Sequence, residues 1–216
     1  MKRLPVQTAD GSFTLFDPKS NQHFHSLHGA LRESLHVFIE MGLNTLPAKS
    51  KYYVFEMGFG SGLNAALALD WSLKQKKILH YTGIEKFPLD KEEWLPLEIK
   101  HPEYPWKWLH QNNWNTSSSF GQWAEVLKIQ MDFSEISLPH NQYDCIFYDA
   151  FAPEAQPELW TVEVFQKLYS CLVDGGIWVT YCAKGQVRRN LLAAGFLVER
   201  CPGPPGKREM LRAVKP

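Results

Sequence analysis

A glycine-rich loop follows the first clear strand-like segment of the chain. The segment is Lys51-Tyr-Tyr-Val-Phe-Glu-Met57, and the loop is Gly58-Phe-Gly-Ser-Gly62. Glycines at alternate positions permit positive φ angles and let a ligand approach the backbone closely. A dinucleotide fingerprint would need GxGxxG, and a phosphate-binding P-loop would need GK[ST], so neither pattern is met.

The acidic residue before this loop points to S-adenosyl-L-methionine. GxGxG with Glu56 two positions before its first glycine is typical of sites for that cofactor, and the carboxylate would face the methionine portion directly or through water. A tight structural turn remains an alternative explanation for the glycines alone. Two further acids end strand-like segments: Glu85 can accept from both ribose hydroxyls, and Asp132 can accept from the adenine amino group.

A fourth acid begins the segment Asp149-Ala-Phe-Ala-Pro153, which follows another apolar run. Asp149 supplies a carboxylate acceptor, Phe151 a stacking face and Pro153 a rigid turn. This combination suits methyl transfer to an amine, which must present a neutral lone pair. Because a free Asp has a pKa of about 3.9, we expect Asp149 to orient the amine and stabilise charge rather than to act as a strong base.

Alternating strands and helices must position these residues. Strand-like runs at 51–57, 79–85, 126–131, 143–148 and 177–181 alternate with helical patterns, which predicts a parallel α/β sheet. The last two runs, 196–200 and 208–214, are separated by the turn Pro202-Gly-Pro-Pro-Gly206 without a helix, which predicts an antiparallel pair. Seven strands in this plan match the Rossmann-like class I methyltransferase sheet with an antiparallel C-terminal strand.

Two regions lie outside that plan. Residues 1–50 are predicted to be an extension that packs on the methyltransferase domain, residues 51–216, with a helix at 30–41 covering a sheet edge. Residues 88–123 hold five Trp with scattered Pro and Asn, which predicts an irregular helical insertion. It could be a substrate lid, although satellite core packing is the commoner use of such aromatics.

Composition limits the class of protein. The 216 residues have a formal net charge of zero, but residues 181–216 hold eight Lys or Arg against two Asp or Glu, so this end could bind a polyanion. No apolar run is long enough to span a membrane, and the N-terminus lacks the apolar region of a secretory signal. The four Cys and eight His show no metal-ligand spacing, and we expect a reduced, cytoplasmic protein without a metal.

The chain resembles the MnmD-type tRNA methyltransferases, which also occur as the N-terminal half of bifunctional MnmC. The resemblance runs from Ser26 to the C-terminus. It is carried, in order, by Glu56-Met-Gly-Phe-Gly-Ser-Gly-Leu-Asn64, Glu85-Lys-Phe-Pro88, Asp149-Ala-Phe-Ala-Pro153, Leu159-Trp-Thr161, Val187-Arg-Arg189 and Gly206-Lys-Arg-Glu-Met210.

That resemblance implies methyl transfer from S-adenosyl-L-methionine to the amine of 5-aminomethyl(-2-thio)uridine at the wobble position of tRNA. Asp149 matches the catalytic residue. The implied cofactor-binding residues are Glu56, Gly58, Phe59, Gly60, Gly62, Asn64, Glu85, Lys86 and Asp132. The implied substrate-binding residues are Phe151, Pro153, Arg188, Lys207 and Arg208, with Lys207 and Arg208 as candidates for phosphate contact. With no second glycine fingerprint before Pro216, we expect a methyltransferase without a fused flavin oxidase domain.

Two other functions remain open from the residues alone. A free small amine could replace tRNA as the acceptor, which the neutral total charge favours and the basic C-terminal end opposes. A non-catalytic, cofactor-binding scaffold would keep its function after loss of Asp149. A nicotinamide oxidoreductase is disfavoured because GxGxxG is missing.

Overall fold

Alternating strands and helices run through most of the chain in the computed structural model, which describes residues 2–97 and 105–216. The strands are β1 (Leu4–Gln7), β2 (Phe13–Asp17), β3 (Gln22–His23), β4 (Lys51–Met57), β5 (Ile78–Glu85), β6 (Ser117–Phe120), β7 (Ala124–Gln130), β8 (Tyr143–Tyr148), β9 (Leu172–Thr180), β10 (Leu197–Pro202) and β11 (Glu209–Val214). The α-helices are α1 (Ala30–Ser34), α2 (Leu63–Gln75), α3 (Lys91–Trp94), α4 (Trp106–Gln111), α5 (Val162–Cys171) and α6 (Gly185–Ala193). A π-helical turn, Leu35–Glu40, continues α1, and 3-10 turns form at Leu43–Thr45, Leu95–Leu97 and Pro157–Trp160.

The main sheet has the strand order β10-β11-β9-β8-β4-β5-β7-β6. Strands β9, β8, β4, β5 and β7 are parallel, while β11 is antiparallel to both β9 and β10. This confirms the predicted Rossmann-like class I methyltransferase fold with an antiparallel C-terminal pair. The sheet has eight strands where seven were predicted, because β6 adds an antiparallel edge beside β7. Its sequence, Ser-Ser-Ser-Phe, has no apolar alternation from which a strand could be read.

Burial on both faces explains why the central strands are continuously apolar. Every residue of β8 is buried, and neighbours along it face opposite sides: Cys145 packs in the core that contains α2, and Ile146 in the core that contains α5. Such two-sided burial is the rule for parallel strands covered by helices. All four Cys are buried and unpaired. In the part of the chain that the structure describes, no helix is long and apolar enough to cross a bilayer.

The N-terminal region packs on a face of the main sheet. Strands β1, β2 and β3 form a separate three-stranded sheet, and the helical segment after it is buried along Val37 and Phe38. The ring of Phe38 lies 5.0 Å from that of Phe147 in β8, at the middle of the main sheet. The helix therefore covers a face and not, as the sequence suggested, an edge.

The Trp-rich insertion contributes to the core. Trp94 and Trp106 are buried in the same core as α2, whereas residues 98–104 of the predicted insertion lie outside the described residues. The buried ammonium of Lys128, on β7, donates to the carbonyls of Leu109 and Asn112 at the end of α4. This bond ties the insertion to the sheet, and burial lowers the pKa of Lys128 to about 8.

Gly58, in the glycine-rich loop after β4, lies against the segment that follows β8. Its replacement tests how much the close packing of these two loops contributes to stability. Its φ is +83°, and a Cβ there would lie 2.8 Å from the carbonyl oxygen of Asp149. Gly121, in the turn between β6 and β7, has φ +57° but nothing within 4 Å of an added Cβ, so it is the matched control. We expect Gly58→Ala to lower the free energy of unfolding by roughly 3 kcal/mol and Gly121→Ala by about 1 kcal/mol, measured by urea unfolding. Equal losses would mean that the close approach of the two loops is unimportant.

Candidate active site

A cavity of about 390 Å³ opens at the carboxyl ends of β4, β5, β7 and β8. Its walls include all of the glycine loop (residues 58–62) except Gly62, together with Glu85, Asp132 and the start of the segment 149–153, named here the acceptor loop. Phe24 and His25, from the N-terminal region, close one side of it. Open parallel sheets bind their ligands at this edge because helix N-termini and loop amides converge there.

The glycine loop is held down onto the end of β5. The backbone N–H groups of Gly58 and Phe59 donate to the carbonyl of Ile84 at 3.2 and 2.9 Å. The N–H of Gly60 donates to Oε2 of Glu85 at 3.0 Å. Gly83 makes the fit possible, since a Cβ there would lie 2.6 Å from the Phe59 ring. The loop and Glu85 therefore form one unit.

One amide joins two buried carboxylates behind this loop. Nδ2 of Asn64, in the first turn of α2, donates to Oε1 of Glu56 at 2.9 Å and to Oδ2 of Asp149 at 2.8 Å. Glu56 and Asn64 were predicted to contact a cofactor, but neither lines the cavity: Glu56 is fully buried beneath the loop. Asn64 is thus positioned to orient Asp149.

Burial dominates the charge state of both acids. It raises the pKa of Glu56 well above its usual value, and the charges of Asp149 and Glu85 act in the same direction. The Asp149 side chain is 7% exposed, and burial raises its pKa to about 7, with Asn64 opposing the shift. Asp149 can therefore gain or lose a proton near neutral pH, which the sequence alone did not predict.

The other end of the cavity is apolar with a polar edge. Ile84, Phe133 and Leu159 contribute apolar walls. Asp132 is paired with Lys86 at 2.6 Å and accepts from the N–H and hydroxyl of Ser134, and these partners, Lys86 foremost, lower its pKa to about 2. Lys86 and Asp132 therefore line the cavity as an ion pair.

Aromatic rings shape the part of the cavity that the acceptor loop borders. Phe151 packs edge-on against Phe24, with ring centroids 5.3 Å apart. The backbone of Phe151 is fixed on both sides, because its N–H donates to Oε1 of Gln156 and its carbonyl accepts from Nε1 of Trp160. Phe151 was predicted from the sequence, whereas its partner Phe24 was not.

The predicted substrate-binding residues do not all lie at one site. Lys207 and Arg208 line a second, open cavity of about 420 Å³ together with Lys184 and Tyr181, named here the basic groove. Lys207 also donates to the buried carboxylate of Glu33 and lies 4.3 Å from the Tyr181 ring centroid, so its charge is already paired. Pro153 and Arg188 line neither cavity.

Sequence reasoning missed His25 and Glu33 as site residues. Both come from the N-terminal region, more than 100 positions before Asp149, and no local motif marks them. Nδ1 of His25 lies 3.8 Å from Oδ2 of Asp149, and burial lowers its pKa to about 4. Across residues 2–97 and 105–216, no group of three or more His, Cys, Asp or Glu is arranged to hold a metal ion.

Comparison with known families gives one match. A family model described as S-adenosyl-L-methionine-dependent methyltransferase matches residues 104–216, about half of the chain.

Curated relatives and solved structures agree with it. The chain is 31% identical over 227 residues to the tRNA 5-methylaminomethyl-2-thiouridine biosynthesis bifunctional protein MnmC of Cupriavidus metallidurans, covering 95% of this chain and 33% of that protein. A second such protein, from Aromatoleum aromaticum, is 31% identical, with 88% and 32% covered. The chain thus spans about a third of the length of these relatives. The crystal structure of MNMC2 from Aquifex aeolicus superposes with a TM-score of 0.83 at 28% identity, covering 99% of this chain and 70% of that one. Spermidine synthase of Thermotoga maritima, at 13% identity and a TM-score of 0.54, shares the fold.

The raised pKa of Asp149 predicts a pH-dependent stability difference. Because the folded state binds the Asp149 proton more tightly than the unfolded state does, the stability from the neutral acid is complete below about pH 4 and is lost as the pH rises through about 7. Asp149→Asn has no proton to lose there. We expect its stability relative to the wild type to grow by roughly 2 kcal/mol between pH 5 and pH 8 in urea unfolding. Parallel pH profiles would contradict a buried, shifted Asp149.

Proposed function

This chain belongs to the S-adenosyl-L-methionine-dependent methyltransferase family, and on that premise we propose that it methylates the amine of 5-aminomethyl(-2-thio)uridine at the wobble position of tRNA. The single observation that carries the proposal is the buried Asp149, with its pKa raised to about 7, facing the cavity that the glycine loop and Glu85 border. The names of the MnmC relatives supply the substrate class.

The order of apolar and acidic residues along the cavity matches the parts of the methyl donor. Ile84, Phe133 and Leu159 would enclose the adenine, and Glu85 would bind the ribose hydroxyls. Behind the loop, Oε2 of Glu56 is buried without a hydrogen-bond partner among the described residues, and Asp149 supplies negative charge toward a cationic ligand when it is ionised. When bound, the cofactor supplies an electrophilic methyl group on a positively charged sulfur.

The protein's own residues act on the amine. An alkylammonium must lose a proton before its nitrogen can attack the methyl group. Asp149 is the proposed proton acceptor, because it lines the cavity and its pKa is about 7. Asn64 holds the carboxylate in one orientation, since its amide is also fixed by Glu56. Phe151, braced by Phe24, offers a face on which the uracil ring can stack.

The basic groove is the proposed path of the tRNA backbone. It adjoins the acceptor loop at Ala152, and it presents the exposed guanidinium of Arg208. Arg208 has no ion pair among the residues that the structure describes, whereas Lys184 is paired with Glu154 and Lys207 with Glu33. Arg208 is therefore the cation most available for a phosphate. A cytoplasmic location, which such a substrate requires, stays a prediction.

Removal of the Asp149 carboxylate tests the chemistry. We expect Asp149→Asn to lower kcat by roughly 100-fold or more while cofactor binding measured by calorimetry is kept. For the wild type, kcat/KM should rise with pH through about 7, as Asp149 ionises, and the variant should lack that rise. The assay is labelled methyl transfer to tRNA from cells that lack this methylation, followed by nucleoside mass spectrometry. Undiminished methyl transfer by the variant would exclude a catalytic role for Asp149. A cellular function that survives this substitution would favour the non-catalytic, cofactor-binding scaffold.

Charge reversal at Arg208 separates tRNA from a free small amine as the acceptor. We expect Arg208→Glu to raise KM for tRNA roughly tenfold and to reduce the slope of log KM against log salt by about 1, because one phosphate contact is lost. Lys51→Glu, the same charge change at the opposite edge of the sheet, is the matched control and should change neither. If wild-type activity is confined to a small amine and Arg208→Glu leaves it unchanged, the tRNA proposal is wrong.

A further inference from the structure

The N-terminal region places a histidine beside the catalytic acid. The backbone N–H of His25 donates to Oγ1 of Thr14 at 2.9 Å, which ties it to β2. The preceding ring, Phe24, packs against Phe151, so this segment is braced on the acceptor loop. The His25 side chain is 7% exposed and borders the same cavity as Asp149.

The two side chains are close but not bonded. Nδ1 of His25 and Oδ2 of Asp149 are 3.8 Å apart, which is beyond hydrogen-bond length. Nε2 of His25 lies 3.1 Å from Oγ of Ser61, a hydroxyl that can accept from an Nε2–H group. In that tautomer Nδ1 is an acceptor. Besides Asp149, the charged groups facing the imidazole are Glu33 and Lys207, which act in opposite directions on its pKa. Burial is the larger effect and keeps the imidazole neutral.

The backbone carbonyls that follow Asp149 in the acceptor loop are already engaged. The carbonyl of Ala150 accepts from the hydroxyl of Tyr181 at 3.0 Å, and that of Phe151 accepts from Trp160 at 2.8 Å. The carbonyl of Ala152 accepts from the N–H groups of two later residues in the same turn. These three carbonyls of the acceptor loop are therefore engaged. Oε2 of Glu56 and Oδ1 of Asn64 have no hydrogen-bond partner among the described residues but do not line the cavity, whereas His25 does.

We propose that Nδ1 of His25 and Oδ2 of Asp149 together bind the two N–H groups of a primary amine and thereby limit the reaction to one methyl group. Two acceptors 3.8 Å apart can each lie about 2.9 Å from one nitrogen, which then directs its lone pair away from both. The inference rests on the proposed function and adds the residue that sets its specificity.

The reaction balances with these two residues. The arriving ammonium gives one proton to Asp149, and the nitrogen lone pair then forms the N–C bond to the methyl carbon. The C–S bond breaks with its electron pair left on sulfur, which becomes a neutral thioether. The product leaves as a secondary ammonium, and Asp149 returns its proton to water.

A secondary amine does not fit the same arrangement. It has one N–H group, so its methyl group would have to point at Nδ1 or Oδ2 when the lone pair faces the donor. An acceptor about 2.9 Å from the nitrogen leaves no room for a methyl carbon bonded to that nitrogen. The acceptor would also be left buried and unpaired, which is unfavourable. The first product is thereby rejected as a second substrate.

Product analysis of two His25 variants tests this assignment. With aminomethyl-bearing tRNA, we expect His25→Ala to lower kcat roughly tenfold, as for loss of one hydrogen bond, and to yield dimethylated nucleoside, because space opens beside the nitrogen. His25→Asn puts an amide oxygen near the position of Nδ1, and it should restore kcat and single methylation. The KM for the cofactor should be the same in all three proteins, and thermal melting checks their folding.

The outcomes separate this inference from the proposed function. If the wild type does not methylate aminomethyl-bearing tRNA, the proposed function fails. If it does, and His25→Ala gives the wild-type kcat and a monomethylated product alone, His25 has no role in specificity. Should the variants not fold, the wild type still decides: dimethylation of tRNA that already carries the monomethylated nucleoside would overturn the proposal, and its rejection as a substrate would support it.

Discussion

The amide of Asn64 is the interaction on which the site depends. It holds Glu56, at the end of β4, and Asp149, at the end of β8, by two hydrogen bonds from one nitrogen. Two buried carboxylates repel each other, and a neutral donor between them lets both remain in a region that excludes water. The glycine loop must be tight for this bond to form, since Asn64 begins the helix that the loop introduces.

The N-terminal region and the C-terminal hairpin meet near Asp149. Glu33, from α1, and Lys207, from the turn before β11, form a partly buried ion pair near Asp149, and their opposite charges act on its pKa in opposite directions. The ends of the central strands border the cavity that we propose for the cofactor, Phe24 and His25 close one side of it, and the C-terminal hairpin lines the adjoining basic groove. Such a division lets a common α/β framework carry a site for a particular substrate.

Much of the fold could be predicted because its signals are local. Strand β8 was predicted with its observed ends, since a six-residue apolar run between turns has one interpretation, and the hairpin of β10 and β11 follows from a turn too short for a helix. Strand β6 could not be predicted, because a serine-rich edge strand is stabilised by its partner β7 and carries no pattern of its own. The helix predicted at 30–41 has the expected position, but its second half is a π-helical turn.

The sequence by itself determined that the glycine loop, Glu85 and Asp149 lie at strand ends, and parallel strands bring such residues to one edge of the sheet, where we propose that the cofactor binds. Only the tertiary structure decided which partners they have. Lys207 is paired with Glu33, Lys86 with Asp132, and His25 lies beside Asp149, because these contacts join segments that are distant along the chain. The raised pKa of Asp149 was likewise decided by the tertiary structure, because it arises from burial by all of these segments together.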